Sequence, residues 1–370
     1  MHTRCLWTIL GAWLVVSCGD SDSDVIPPDA PGPYLAGYLE ADVPGSQGEN
    51  LQTLIWYPTQ EGPELEVDYS GMDFSAGSAV RRAPAACAEP RPVVLFSHGH
   101  RGVRYQNYTL CEHFARHGFV VAAPDHPQDT VAMLDEDYIP AVFLQRPLAL
   151  VDAYDWLVEQ SADPESRLSG CVDPGLGFGA VGHSFGGWSV LALAGAPLDL
   201  GVLEADCVAD TGEGCEVVRT WLADNPGRTE VDFGDPRIWG ALAITPAFHE
   251  KFGAGLSQIA VPTFVIGGDR DTLTPWPDAV RPVYDALETT PRYLARFENT
   301  GHNTFTDFCQ VLLIAGLEYN GCSDDFRAVE DVATQLLPMS LAFLQVVLGQ
   351  ASAHSWLGPA PGLDVWEAVE

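Results

Sequence analysis

The chain has 370 residues, 46% of them hydrophobic, enough for one large packed domain or two small ones. Lys and Arg total 18 against 51 Asp and Glu, a formal charge of −33, and Lys251 is the single lysine. So acidic a surface favours solubility and leaves no cationic track from which nucleic-acid phosphates could displace counterions, so that class of partner is excluded.

His2 and Arg4 precede an apolar stretch over 6–16 that is too short for a stable membrane span. This is the pattern of an export signal over residues 1–17. Val15-Val16-Ser17-Cys18 resembles a bacterial lipobox, with Cys18 as the acylated first residue of the mature chain. The expected location is therefore the cell envelope, held to a membrane through the lipid, with simple secretion as the alternative. Residues 18–33 alternate Ser and Asp and carry prolines, which makes a flexible tether.

Residues 34–350 read as one domain, and 351–370 as a C-terminal tail. Segments 34–40 and 51–57 are expected to pair antiparallel around a turn-rich stretch. Strand and helix signals then alternate. The short apolar run 93–96 precedes a helix over about 107–117, and 119–123 is the next strand. A helix is expected from Pro147, with Leu150, Tyr154 and Leu157 on one face. Strands follow at 176–181, 238–244, 261–266 and 293–297, and a packing helix at about 329–348. Apolar strands separated by helices predict an α/β fold, a mostly parallel sheet covered on both faces. The acidic segment within about 200–236, with a short helix near 217–223, reads as a lid-like insertion. A monomer is expected.

Export permits disulfides. Beyond Cys18 the mature chain carries seven cysteines. Cys207 with Cys215, and Cys309 with Cys322, would close short loops. Cys87 and Cys171 each precede an expected strand, and could bond if those strands are parallel neighbours. Cys111, inside a helix, is left as a buried free thiol; spacing alone does not fix these pairings.

Gly182-His183-Ser184-Phe185-Gly186 stands between an apolar strand and a small-residue helix. Flanking glycines permit a sharp turn that would hold the Ser184 hydroxyl clear of the sheet, at the positive end of a helix. Such a nucleophile needs a base, and the base an orienting carboxylate. After the 261–266 strand come Asp269 and Asp271, and Asp271 is the preferred acid. After the 293–297 strand comes His302, the expected base. An oxyanion would take the backbone N–H of Phe185 and of His100, the latter in the loop Ser97-His98-Gly99-His100. Trp188 and Phe248 are candidates for an acyl pocket, and His183 is expected to brace the turn. No cofactor is needed. A rival reading makes His98 and His100 zinc ligands, but it leaves Ser184, Asp271 and His302 unexplained.

With those residues in place, the chain resembles serine esterases of the α/β-hydrolase superfamily. The likeness to platelet-activating-factor acetylhydrolases and dienelactone-hydrolase-like proteins rests on four stretches: Phe96-Ser97-His98-Gly99, His117-Gly118-Phe119, Gly182 to Gly187, and His302 to Phe308. Bacterial cutinase-type polyester hydrolases are similar through Trp56-Tyr57-Pro58, the Ser184 turn, and Gly268-Asp269-Arg270-Asp271-Thr272. That last stretch aligns Asp271, rather than Asp269, with their catalytic acid. Two positions depart from these families. Dienelactone hydrolases use cysteine where this chain has Ser184, and polyester hydrolases usually carry tryptophan where it has Ala247. The resemblance implies hydrolysis of short acyl, phospholipid acyl or polyester-like esters. An exported ligand-binding lipoprotein on an inactive hydrolase scaffold is the non-enzymatic alternative.

Overall fold

The computed structural model describes residues 26–63, 65–69, 77–208, 211–309 and 320–370. The expected signal segment and Cys18 lie outside them. An antiparallel hairpin comes first, β1 (Leu35–Pro44) with β2 (Asn50–Thr59), in register from Leu35 opposite Thr59 to Pro44 opposite Asn50. Two short strands follow, β3 (Leu65–Val67) and β4 (Gly77–Arg81). Then come β5 (Val93–Ser97), α1 (Tyr108–Arg116), β6 (Val120–Pro124), α2 (Ile139–Ala162), β7 (Phe178–His183) and α3 (Phe185–Leu193). The next segment holds β8 (Leu198–Asp199), α4 (Leu200–Asp206), α5 (Glu213–Asp224) and β9 (Glu230–Val231). The described chain closes with β10 (Ile238–Ile244), β11 (Thr263–Gly268), α6 (Arg281–Ala286), β12 (Arg292–Phe297), α7 (Val329–Val347) and β13 (Leu363–Val369).

Among the described residues the main sheet has 11 strands, in the order β13-β12-β11-β10-β7-β5-β6-β2-β1-β4-β3. The six from β12 to β6 are mutually parallel. Their side chains alternate between two cores, as a period of two requires. Val93 and Leu95 of β5 face one core, with Phe143 of α2 and Trp188 of α3. Val94 and Phe96 face the other, with Phe114 of α1 and Phe343 of α7. With both faces covered, β5, β6 and β7 have no room for polar side chains except at their ends. After β5 the chain steps to β6 on one side, then crosses back to β7 on the other. The loops leaving β5 and β7 therefore diverge and open a crevice at the carboxyl edge of the sheet.

The structure corrects one expectation and adds detail to two others. The helix expected from Pro147 begins at Ile139, with Pro140 in its first turn, and Pro147 lies inside it. A mid-helix proline costs about 3 kcal/mol, and burial of Val142, Phe143 and Leu144 in the first two turns offsets it. The tail over 351–370 carries β13, which pairs antiparallel with β12 and closes that edge of the sheet. Trp366 of β13 lies within 6.0 Å of both the Phe264 and Tyr293 rings, centroid to centroid. The segment over 200–236 packs through α5 on α2. No described residue of it lines the crevice, so the expectation of a lid has no support there.

Cys87 bonds Cys171, Cys207 bonds Cys215 and Cys309 bonds Cys322, while Cys111 is a buried free thiol. Three disulfides fit an exported or extracellular protein. No described helix is long and apolar enough to cross a membrane.

Candidate active site

Ser184 sits between β7 and α3 with φ +57° and ψ −119°, a backbone conformation costly for any side chain but glycine. Its surroundings enforce it. A Cβ on Gly186 would stand 1.9 Å from the Ser97 carbonyl oxygen, and one on Gly182 2.1 Å from that of Gly186. The turn is therefore packed backbone on backbone, and only glycine fits either position. The Ser184 amide is tied to the Ile244 carbonyl at 2.9 Å, which anchors the turn to β10. Ser184 is 8% exposed, and its hydroxyl has no hydrogen-bond partner among the described residues.

Asp271 and His302 leave the carboxyl ends of β11 and β12, two and three strands to the side of β7. Asp271 Oδ1 accepts the backbone N–H groups of Leu273 (2.8 Å) and Thr274 (2.9 Å). Oδ2 accepts the Thr274 hydroxyl at 2.6 Å and His302 Nδ1–H at 2.8 Å. Burial works to raise the Asp271 carboxyl, but the His302 ring and these hydrogen bonds outweigh it and hold the group below its ordinary value. With Nδ1 donating, Nε2 carries the lone pair, and it has no partner among the described residues. Asp269, the other candidate acid, accepts the Thr300 backbone N–H at 3.1 Å and braces the turn before His302.

His302 and Ser184 line one cavity of about 970 Å³. Tyr105, Val131, Leu134, Phe248, Leu273 and Phe308 give it a largely apolar wall. Unliganded hydrolases often make the serine–histidine hydrogen bond only when substrate is present, so the lack of one here is compatible with catalysis. His100 lines the same cavity, and neither its backbone N–H nor that of Phe185 has a partner among the described residues. Phe185 opens α3, where the first-turn N–H groups lack intrahelical acceptors. Trp188, expected on the cavity, is not there. Every residue of α3 is buried, so the turn after Phe185 points into the α2 core. There Trp188 stacks on Phe252 with ring centroids 5.2 Å apart.

His183 is fully enclosed. Its Nδ1 accepts from Gln106 Nε2 at 3.0 Å, and its Nε2–H donates to the His302 carbonyl at 2.9 Å. Burial, reinforced by the neighbouring His302, lowers it to about 3 and keeps it neutral. Gln106 in turn accepts the Gly99 amide at 3.1 Å. Asn320 accepts the His302 amide at 2.7 Å and that of Thr272 at 3.2 Å, joining the loops that carry Asp271 and His302. The Cys309–Cys322 bond keeps that turn beside His302. Gln106, Thr274 and Asn320 carry no local sequence signal that separates them from ordinary loop residues.

A zinc site at His98 conflicts with the ring's own bonds. His98 Nδ1 donates to the Gly99 carbonyl at 2.7 Å, and Nε2 accepts the His126 amide at 3.0 Å. Neither nitrogen keeps a lone pair free for a metal. No cluster of three metal-ligating side chains occurs among the described residues.

A family model described as platelet-activating factor acetylhydrolase, isoform II, matches residues 73–141. The match covers β4 to the start of α2, including the loop 97–101, and ends before Ser184. It supports a hydrolase of ester substrates with an α/β fold. No curated protein matches the chain.

Proposed function

We infer that this protein is a serine carboxylic-ester hydrolase of the α/β-hydrolase fold. The observation that carries the reading is the 2.8 Å hydrogen bond from His302 to Asp271, made by a ring that lines the same cavity as Ser184. Ser184 Oγ attacks the ester carbonyl carbon while His302 Nε2 removes its proton. Asp271 holds the ring's tautomer and stabilises the imidazolium. The Phe185 and His100 amides receive the oxyanion, and two such donors lower the barrier by several kcal/mol. Collapse of the tetrahedral species expels the alcohol, protonated by His302. Water, deprotonated by the same ring, then releases the carboxylic acid and restores Ser184.

An apolar cavity of this size suits the acyl part of a short ester or phospholipid, or a stretch of polyester. The disulfides agree with an exported enzyme, and an acylated Cys18 would keep it at a membrane. The test is fluorophosphonate labelling, together with hydrolysis of acyl esters from acetate to palmitate. The wild type should be labelled at Ser184, and Ser184→Ala should lose both labelling and turnover. A variant that still hydrolyses esters at the wild-type rate would refute the reading. An unreactive wild type would favour a binding protein on an inactive scaffold.

A further inference from the structure

Behind the cavity, on its α2 side, lies a charged pair with no part in the chemistry above. Arg146 and Asp129 are both fully buried, joined by Nη2–Oδ2 at 2.7 Å and Nε–Oδ2 at 3.0 Å. Such a pair adds little net stability over apolar residues of the same volume. Arg146's remaining donors all reach the last residue of β5 and the loop after it. Nη1 donates to the His98 carbonyl at 2.7 Å and to Ser97 Oγ at 3.4 Å, and Nη2 to the Gly99 carbonyl at 3.1 Å. Asp129 Oδ1 accepts His100 Nδ1–H at 2.5 Å and the Arg101 amide at 3.2 Å. The guanidinium carbon also stands 4.3 Å from the Phe185 ring centroid. One buried cation thus holds the backbone before His100 by its carbonyls and lies against the side chain of Phe185, the two residues proposed to supply the oxyanion donors.

The geometry of the Gly99–His100 peptide shows what this does. In a trans peptide the C=O and N–H point in opposite directions within one plane. The Gly99 carbonyl accepts from Arg146 Nη2, His98 Nδ1 and the Gly102 amide, so its direction is fixed. The His100 N–H must then point the opposite way, and His100 lines the cavity. We propose that Arg146, held in place by Asp129, is the positioning residue of the oxyanion hole: it aims the His100 N–H and seats Phe185. A cation on the carbonyl end of a peptide also polarises it and strengthens its N–H as a donor. The inference rests on the serine-hydrolase reading.

The test compares wild type, Arg146→Lys and Asp129→Asn as full mature chains. Three quantities are measured: p-nitrophenyl ester hydrolysis, inhibition by an alkyl trifluoromethyl ketone whose serine adduct bears an oxyanion, and the urea midpoint. Arg146→Lys should lower kcat about 30-fold or more with KM within about 2-fold, and weaken the ketone in step, because the lost interaction exists only in the transition state. Asp129→Asn should do the same about 10-fold, and both variants should stay folded at the assay temperature. A wild type inert to ester and ketone would overturn the functional reading beneath the inference. A reactive wild type whose Arg146→Lys variant keeps kcat and ketone affinity within about 3-fold would overturn the inference alone. So would a rise in KM with kcat unchanged, or failure of both variants to fold, either of which assigns the pair to binding or stability.

Discussion

Under the proposed function, Asp271→Asn isolates the role of the proposed acid without changing its shape. The carboxylate accepts two backbone amides on Oδ1 and two side-chain groups on Oδ2. An asparagine must keep its oxygen at the Oδ1 position, because turning its NH₂ there would set it against the Leu273 and Thr274 N–H groups. Its NH₂ is therefore forced towards His302 Nδ1. A donor facing Nδ1 makes that nitrogen the acceptor and moves the ring proton to Nε2, the nitrogen that the proposed mechanism needs free to take the serine proton. The barrier should rise by the full penalty of a wrong tautomer, about 10⁴-fold in kcat or about 5 kcal/mol. KM should change little, since the ring still fills its place. Steady-state hydrolysis of a p-nitrophenyl ester measures both. Asp269→Asn is the control: it loses no bond to His302 and should stay within about 3-fold of wild type. An Asp271→Asn enzyme within tenfold of the wild-type kcat would refute the assignment of acid and base.

Other outcomes follow from the fold. Gly186→Ala should gain about 1 kcal/mol by helix propensity, but its Cβ would meet the Ser97 carbonyl at 1.9 Å. Overpacking of about 3 kcal/mol or more should win. Urea denaturation showing a more stable variant would contradict this. Cys87–Cys171 spans 84 residues and Cys207–Cys215 only 8, so loop entropy assigns them about 4.6 and about 2.6 kcal/mol. The corresponding double-alanine variants should differ by about 2 kcal/mol in unfolding free energy, and equal losses would show that chain entropy is not the controlling term. Acid should destabilise the protein. Burial lowers His98, His113 and His183 to about 3 and His126 well below its ordinary value of 6.5. Below pH 6.5 the unfolded chain therefore takes up protons that the folded one refuses, and stability falls. Burial raises Glu112 to about 7 and Asp307 to about 6, which acts in the opposite sense over roughly pH 4 to 7. Burial also lowers His117 and raises Asp125, so five histidines stand against three carboxyls and leave a net loss on acidification, at about 1.4 kcal/mol per pH unit for each uncompensated proton. Urea midpoints at pH 7, 6 and 5 should decline, and a flat or rising series would sink the balance of signs.

Much of the site was legible because its pieces are short and local. Five consecutive residues specify the turn at Ser184, since φ of +57° and two backbone approaches are decided by which positions lack a Cβ. Asp271 and His302 were legible from their place just past strand ends, which the apolar runs of β11 and β12 mark. Continuous apolar runs separated by helices announced the sheet covered on both faces, and the spacing of cysteines allowed all three bridges.

What sequence could not reveal depends on partners distant along the chain. Trp188 reads equally well as a pocket wall or as core, and only the packing of α2 over α3 decides for core. β13 shows little apolar periodicity, because an edge strand with one neighbour needs little; pairing with β12 makes it a strand. Arg146 carries no sequence signal of its own, because its partners are carbonyls 47 and 48 residues away. Sequence by itself determined the backbone geometry within a few residues of the reactive groups, where sterics and hydrogen bonds are local. Tertiary structure decided which buried polar groups face each other, because each must find a partner and that partner is supplied by another part of the fold.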